Sequence, residues 1–244
     1  MRFPPFCCSL SLLLIIVCHG ALAEQPAEAI TEGQDPPQQE QQWIDLFDGK
    51  SLAGWVNDLG QPVTKGWRVE EGLLHCPGRV GSIYPEQEYG DFELEFEWKI
   101  AKGGNAGVKY RMVHYKQGLF GRPSWLGCEY QIFDDLNRKI APKNQTAAIY
   151  DIIAASDEKR LLPHDQFNTG RIVAHGTRIE HWLNGKRVVE VDIATDEWKA
   201  LVANSKFSVV PGFFTAPKGK IQLQDHNDKV WFRTVKIREL TGAE

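Results

Sequence analysis

The sequence predicts an all-β chain, a two-sheet antiparallel β-sandwich of jelly-roll type, on three observations. Apolar and polar residues alternate with period two over several short segments. Glycines and turn dipeptides separate those segments. A single short stretch, Asp196 to Asn204, reads as helix. Many strands with hardly a helix point to sheet packed on sheet. Composition agrees: 22 Gly, 8 Trp and 12 Phe against 2 Met, with 42% hydrophobic and 25% charged residues. These values exclude a collagen-like, wholly disordered or polytopic membrane chain. The formal charge of −4 and the scattered basic residues give no reason to expect nucleic acid as a partner. A chain of 244 residues can bury one full core.

Residues 1–23 read as a cleavable export signal. Arg2 precedes a short apolar run, Leu10 to Val17, and Ala21-Leu22-Ala23 offers a small-x-small cleavage site. The run falls short of the roughly 20 apolar residues of a bilayer span. The expectation is an exported chain, periplasmic or extracellular, with no stable membrane insertion after cleavage. Lipid attachment at Cys18 is the weaker alternative, because Val17 stands where a small residue is expected. Residues 24–42, rich in Gln, Glu and Pro, cannot offset their ordering entropy and read as a tether. Residues 43–241 read as one domain. Its two cysteines, Cys76 and Cys128, either pair or stay as buried thiols.

The first clear strand is Asp91 to Ile100, where Phe92, Leu94, Phe96 and Trp98 alternate with Glu93, Glu95, Glu97 and Lys99. Three glutamates on one solvated face read as ordinary surface rather than catalytic carboxylates. Gly107 to Val113 and Glu129 to Phe133 are the next strands. Gly170 to His175 and Arg178 to Leu183 follow, the latter entering an Asn184-Gly185 hairpin turn that returns along Lys186 to Val191. Ile221 to Leu223 and Val230 to Ile237 close the domain.

Residue parity then selects a candidate site. If Tyr130 and Ile132 face the core, Glu129 and Gln131 face out. If Val108, Tyr110 and Met112 face the core, Lys109 and Arg111 face out. Ile221 and Leu223 inward send Gln222, Gln224 and His226 outward. A carboxylate, amides, two cations and an imidazole thus meet on one sheet face. Carboxylates and amides read sugar hydroxyls, and Tyr150, Trp125 and Trp182 are candidate walls for the apolar side of a ring. Asp134, Asp135 and Asn137 sit in an acidic turn without the spacing of a calcium loop, so no metal is expected there. His114, His164 and His175 have no ligand-spaced partners, and no phosphate loop or nucleophile elbow is present.

Several landmarks are familiar in order and spacing. They are Trp43-Ile-Asp-Leu-Phe-Asp-Gly-Lys-Ser-Leu-Ala-Gly-Trp55, Gly104-Asn-Ala-Gly107, Glu129-Tyr-Gln-Ile-Phe-Asp134 and Ala147-Ala-Ile-Tyr-Asp151. Glu180-His-Trp-Leu-Asn-Gly185, Leu223-Gln-Asp-His226 and Val230-Trp-Phe-Arg233 complete the set. From Trp43 to Leu240 the chain resembles the bacterial 3-keto-disaccharide hydrolase domain family. The resemblance implies a concanavalin A-like sandwich and hydrolysis of a glycosidic bond in a sugar already oxidised at C3. The chain departs from the family pattern at Ala106, where Ser is frequent, and at Asn227, where Gly is frequent. Both positions adjoin the site and bear on substrate choice.

A C3 ketone acidifies the hydrogen on C2, so a base can form an enolate that expels the C1 oxygen, after which water adds back. That route implies His226 and Glu129 as proton-transfer groups. Arg111 and Lys109 would steady enolate charge. Asn105, Gln131 and Gln224 would orient hydroxyls, and Tyr150 and Trp182 would contact the ring. Asp134 is either a second acid/base or a turn residue. The implied partner is an oligosaccharide or glycoside substrate, with no cofactor. A non-catalytic, lectin-like carbohydrate-binding module is the alternative, since sandwiches host both.

Overall fold

The computed structural model describes residues 42–241. The expected signal segment 1–23 and residues 24–41 of the expected tether lie outside the described residues, as do 242–244.

Fourteen strands and one α-helix are formed by the described residues. In chain order they are β1 (Ile44–Phe47), β2 (Trp55–Val56), β3 (Arg68–Glu70), β4 (Leu73–Cys76) and β5 (Tyr84–Pro85). Then come β6 (Glu88–Tyr89), β7 (Phe92–Ile100), β8 (Asn105–Tyr115), β9 (Ser124–Phe133) and β10 (Asn168–His175). β11 (Arg178–Leu183), β12 (Lys186–Asp192), α1 (Asp196–Ala203), β13 (Gly219–Asp225) and β14 (Val230–Glu239) finish the chain. The large sheet runs β12-β11-β10-β7-β14-β4-β3, with β1 also paired to β14. The small sheet runs β6-β13-β8-β9, and β2 pairs with β5. All these pairings are antiparallel. The sandwich expected from the alternation is the one observed.

The alternation in β7 becomes the core. Phe92, Leu94, Phe96 and Trp98 are buried against the small sheet, where Phe96 meets Tyr130 edge-on with ring centroids 5.2 Å apart. The intervening glutamates lie on the outer face. Glu93 accepts from Arg171 Nη1 at 2.8 Å and Arg238 Nε at 2.7 Å, Glu95 pairs with Lys236 at 2.8 Å, and Glu97 accepts from Arg233 Nε at 3.0 Å. They are cross-strand ion pairs of a structural face. Cys76 and Cys128 are buried free thiols, which removes the disulfide alternative. Burial pushes the Cys76 thiol up to about 12, the range of an inert packing residue.

Helix α1 starts where its sequence signals place it. Thr195 is the N-cap, its hydroxyl accepting from Trp198 N, and Asp196 and Glu197 occupy the first turn. Trp198 is the side chain by which the helix docks on the core.

In β8 the parity expectation fails after Tyr110. A bulge between Tyr110 and Val113 places Arg111 at φ 45°, in the left-handed region. Arg111 is buried between the sheets instead of facing out, and Met112 turns to the opposite face to pack with Val56 and Tyr84. The guanidinium donates to Gly90 O at 2.9 Å, Gly176 O at 3.0 Å and Asp91 Oδ1 at 2.8 Å. Asp91 also accepts from Gly176 N at 3.0 Å. Arg111 therefore ties three segments together.

Candidate active site

The outer face of the small sheet carries a cavity of about 220 Å³ lined by Asn105, Lys109, Glu129, Gln131, Tyr150, Lys206, Gln224 and His226. Register explains the convergence. Gly107 of β8 lies between Gln131 of β9 and Gln224 of β13, and Lys109 lies opposite Glu129. Side chains from three adjacent strands thus stand side by side.

Glu129 is buried to 7% exposure, and its carboxylate lies across Gly107. A Cβ at Gly107 would stand 2.3 Å from Glu129 Oε1, so the glycine makes the space the carboxylate occupies. Lys109 Nζ lies 3.8 Å from Glu129 Oε2. That distance keeps the carboxylate beside a cation without a close hydrogen bond.

A chain of amides runs to the imidazole. Gln131 Nε2 donates to Asn105 Oδ1 at 3.2 Å, and Asn105 Nδ2 is 3.1 Å from His226 Nδ1. His226 itself is exposed at the rim. It follows Asp225, whose carboxylate accepts from Arg79 N at 3.1 Å, Val80 N at 2.5 Å, Gly81 N at 2.9 Å and Asn227 N at 2.8 Å. Burial acts to raise the Asp225 carboxyl, but these backbone donors outweigh it and hold it below the usual range. Gln131 Oε1 and Gln224 Oε1 are buried and have no hydrogen-bond partner among the described residues. Both side chains line the cavity and offer acceptors for hydroxyl donors.

The remaining wall comes from outside the sheet. Tyr150 lies in a turn whose backbone N donates to Glu129 O at 3.0 Å. Asp151 Oδ2 accepts from Lys206 N at 2.7 Å, and Asp151 Oδ1 pairs with Lys143 at 2.8 Å. This clamp sets Lys206 Nζ 4.1 Å from the centroid of the Tyr150 ring. Lys206 is exposed as a residue, yet desolvation of its ammonium pulls it below the usual lysine range. The Glu129 carboxylate opposes that shift, Lys109 adds to it and Asp151 opposes it.

Seven of the residues singled out by sequence meet here: Asn105, Lys109, Glu129, Gln131, Tyr150, Gln224 and His226. Three do not. Arg111 is held inside the sandwich as described. Asp134 accepts from Gly103 N at 2.6 Å and Asn137 Nδ2 at 3.1 Å, which makes it a buried turn residue. Trp182 belongs to the large sheet, where Arg171 covers its ring at 3.9 Å and its Nε1 donates to Glu180 at 2.7 Å. Trp125 is also absent from the cavity lining, with Lys220 Nζ 4.4 Å from its ring centroid. Asp135 of the acidic turn pairs with Lys159 at 2.8 Å. Lys206 was missed. It sits on an irregular 3₁₀ turn, Lys206–Val209, where no periodicity reports which way a side chain points.

The two departures from the family pattern also find explanations. Ala106 faces the core and is fully buried, so it does not touch the cavity. Asn227 has φ 73°, a conformation that Gly adopts freely and Asn tolerates. It preserves the turn that follows His226.

The sequence matches the family model for the 3-keto-alpha-glucoside-1,2-lyase-like domain over residues 42–238. The chain belongs to that family. A curated relative, the 3-keto-disaccharide hydrolase of Bacteroides thetaiotaomicron, is 29% identical over 98% of this chain and 98% of its own. Two crystal structures of candidate glycosyl hydrolases from Parabacteroides distasonis share the fold. One has a TM-score of 0.72 at 28% identity, covering 81% of this chain and 94% of that one. The other has a TM-score of 0.63 at 29% identity, covering 82% and 100%. Membership of the family makes the chain an enzyme of glycoside hydrolase type.

Proposed function

We propose that the cavity takes the 3-keto sugar unit of a disaccharide or glycoside and cleaves its glycosidic bond by elimination followed by hydration. The observation that carries this reading is the placement of a buried carboxylate, two ammonium groups and an imidazole around one small polar cavity. A cavity of about 220 Å³ suits one sugar ring better than the larger ligands of typical ~300–1,000 Å³ sites.

In this mechanism Glu129 removes the C2 proton. The electron pair forms an enolate whose C3 oxygen is steadied by Lys109 and Lys206, and collapse of the enolate expels the C1 oxygen. His226 protonates the departing alkoxide. In the hydration that follows, His226 takes a proton from water as its hydroxyl bonds to C1, and Glu129, its proton exchanged with solvent, protonates C2. Both groups recover their starting states and the net result is hydrolysis. The free oxygens of Gln131 and Gln224 receive sugar hydroxyls. The family description speaks of a 1,2-lyase and the curated relative's name of a hydrolase; an elimination completed by hydration accommodates both. Residues 1–23 as an export signal would place this activity outside the cytoplasm.

Incubation with a panel of 3-keto-glycosides beside their unoxidised parents tests the reading. The expected result is cleavage of the 3-keto members alone, lost in Glu129→Gln. Equal turnover of the parents, or full activity in that variant, would overturn it.

A further inference from the structure

We infer that Asn105 is a positioning residue that fixes the neutral His226 ring with its hydrogen on Nε2, so that the imidazole is the donor of the pair and Glu129 the base. Both ends of the amide chain are rigidly held. The Gln131 backbone donates to Ala148 O at 3.2 Å and accepts from Ala147 N at 2.9 Å, and the residue is 1% exposed. Asn105 N donates to Asp228 Oδ2 at 3.0 Å. With Gln131 Nε2 donating to Asn105 Oδ1, the Asn105 group left for the ring is Nδ2. An amide nitrogen only donates, so Nδ1 of His226 must accept, and an accepting ring nitrogen carries no hydrogen. The neutral imidazole therefore keeps its hydrogen on Nε2.

The orientation of Gln131 fixes the direction of the whole chain. Its Oε1 is buried and without a hydrogen-bond partner among the described residues. Turning the amide over would bury an unpartnered NH2 in place of an unpartnered oxygen, and orphaned buried donors are rarer than under-satisfied acceptors. The oxygen is also the end useful to a sugar hydroxyl. Gln131 thereby reads substrate with one atom and sets the His226 tautomer with the other.

The division of labour between His226 and Glu129 rests on the proposed elimination; the tautomer does not. It can be read in the ligand-free protein at alkaline pH from the ¹⁵N shifts of the His226 ring, assigned by their loss in His226→Ala. The expected result is a pyridine-like Nδ1 and a pyrrole-like Nε2, with inversion in Asn105→Asp, whose carboxylate must accept from Nδ1–H. A pyridine-like Nε2 in the wild type, or a mixture of tautomers, would overturn the assignment.

Kinetics test the donor role separately. Asn105→Asp should slow a 3-keto-glycoside with an alkyl leaving group at least about tenfold more than one with a nitrophenyl group, which departs without a proton. Equal losses on both would overturn the donor role. No wild-type turnover of either substrate would overturn the proposed function and leave the tautomer standing.

Discussion

At the residue scale, Glu129 and Gly107 form one unit. The carboxylate is placed by the missing Cβ of Gly107 as much as by its own strand. Gly107→Ala should lower kcat substantially by displacing the carboxylate, while Glu129→Gln should lower it about 10²–10⁴-fold, as for loss of a general base. Thermal unfolding of Glu129→Gln should stay near wild type, because among the described residues the carboxylate makes no hydrogen bond and only the long ion contact to Lys109. Parallel kcat and melting measurements check this pair. Lys206→Met should cost about 2.7–4 kcal/mol of barrier if its ammonium steadies the enolate, visible as a fall in kcat of roughly 10²–10³-fold. Sequence made Glu129, Gln131, Lys109 and Gln224 legible because they sit on regular strands, where parity alone reports direction. Lys206 and Tyr150 lie on turns. Tyr150 is legible only as an aromatic ring able to cover the apolar side of a sugar, and Lys206 offers no such cue.

At the element scale, β8 shows where parity stops working. Alternation is exact chemistry only while the ladder is unbroken, and one extra residue at Arg111 inverts every assignment beyond it. Nothing in Gly107 to Val113 announces the bulge, because Arg-Met-Val fits an ordinary strand. Its cause lies elsewhere in the chain, in Gly90, Asp91 and Gly176, whose oxygens need the guanidinium. Arg111→Met should therefore destabilise by about 3–5 kcal/mol, as expected for breaking a buried ion pair. Denaturant unfolding gives that number. Any enzyme that stays folded should keep a near-normal KM, since the residue does not reach the cavity.

At the scale of the whole molecule, a second histidine couples the sandwich to pH. His181 is fully buried between the sheets. Its Nδ1 donates to Ala147 O at 3.0 Å, and its Nε2 accepts from Tyr110 Oη at 2.9 Å. Burial is the dominant cause that lowers it to about 4, opposed by the backbone carbonyls of Ala147 and Ala148. The unfolded chain, with an ordinary imidazole near 6.5, then binds more protons than the native state at intermediate pH. Stability is complete above about 6.5 and is lost as pH falls towards about 4, an effect on the order of 3 kcal/mol. His181→Leu should be less stable at neutral pH, because Tyr110 Oη loses its acceptor, but flatter across that window. Unfolding free energies at several pH values distinguish the two slopes. The fold class was legible throughout because period-two patterning is a whole-chain signal. The pairing of β7 with β14, 137 residues apart at Glu97 and Thr234, was not, since register across such a separation leaves no local trace.

The central claim is that this cavity breaks a glycosidic bond through a C2 carbanion made possible by a C3 ketone. Cleavage of a 3-keto-glycoside in deuterium oxide tests it most directly, with mass and NMR analysis of the released 3-keto sugar. The account predicts one deuterium at C2 of that product. Product formed at full rate with the original hydrogen retained at C2 would contradict it.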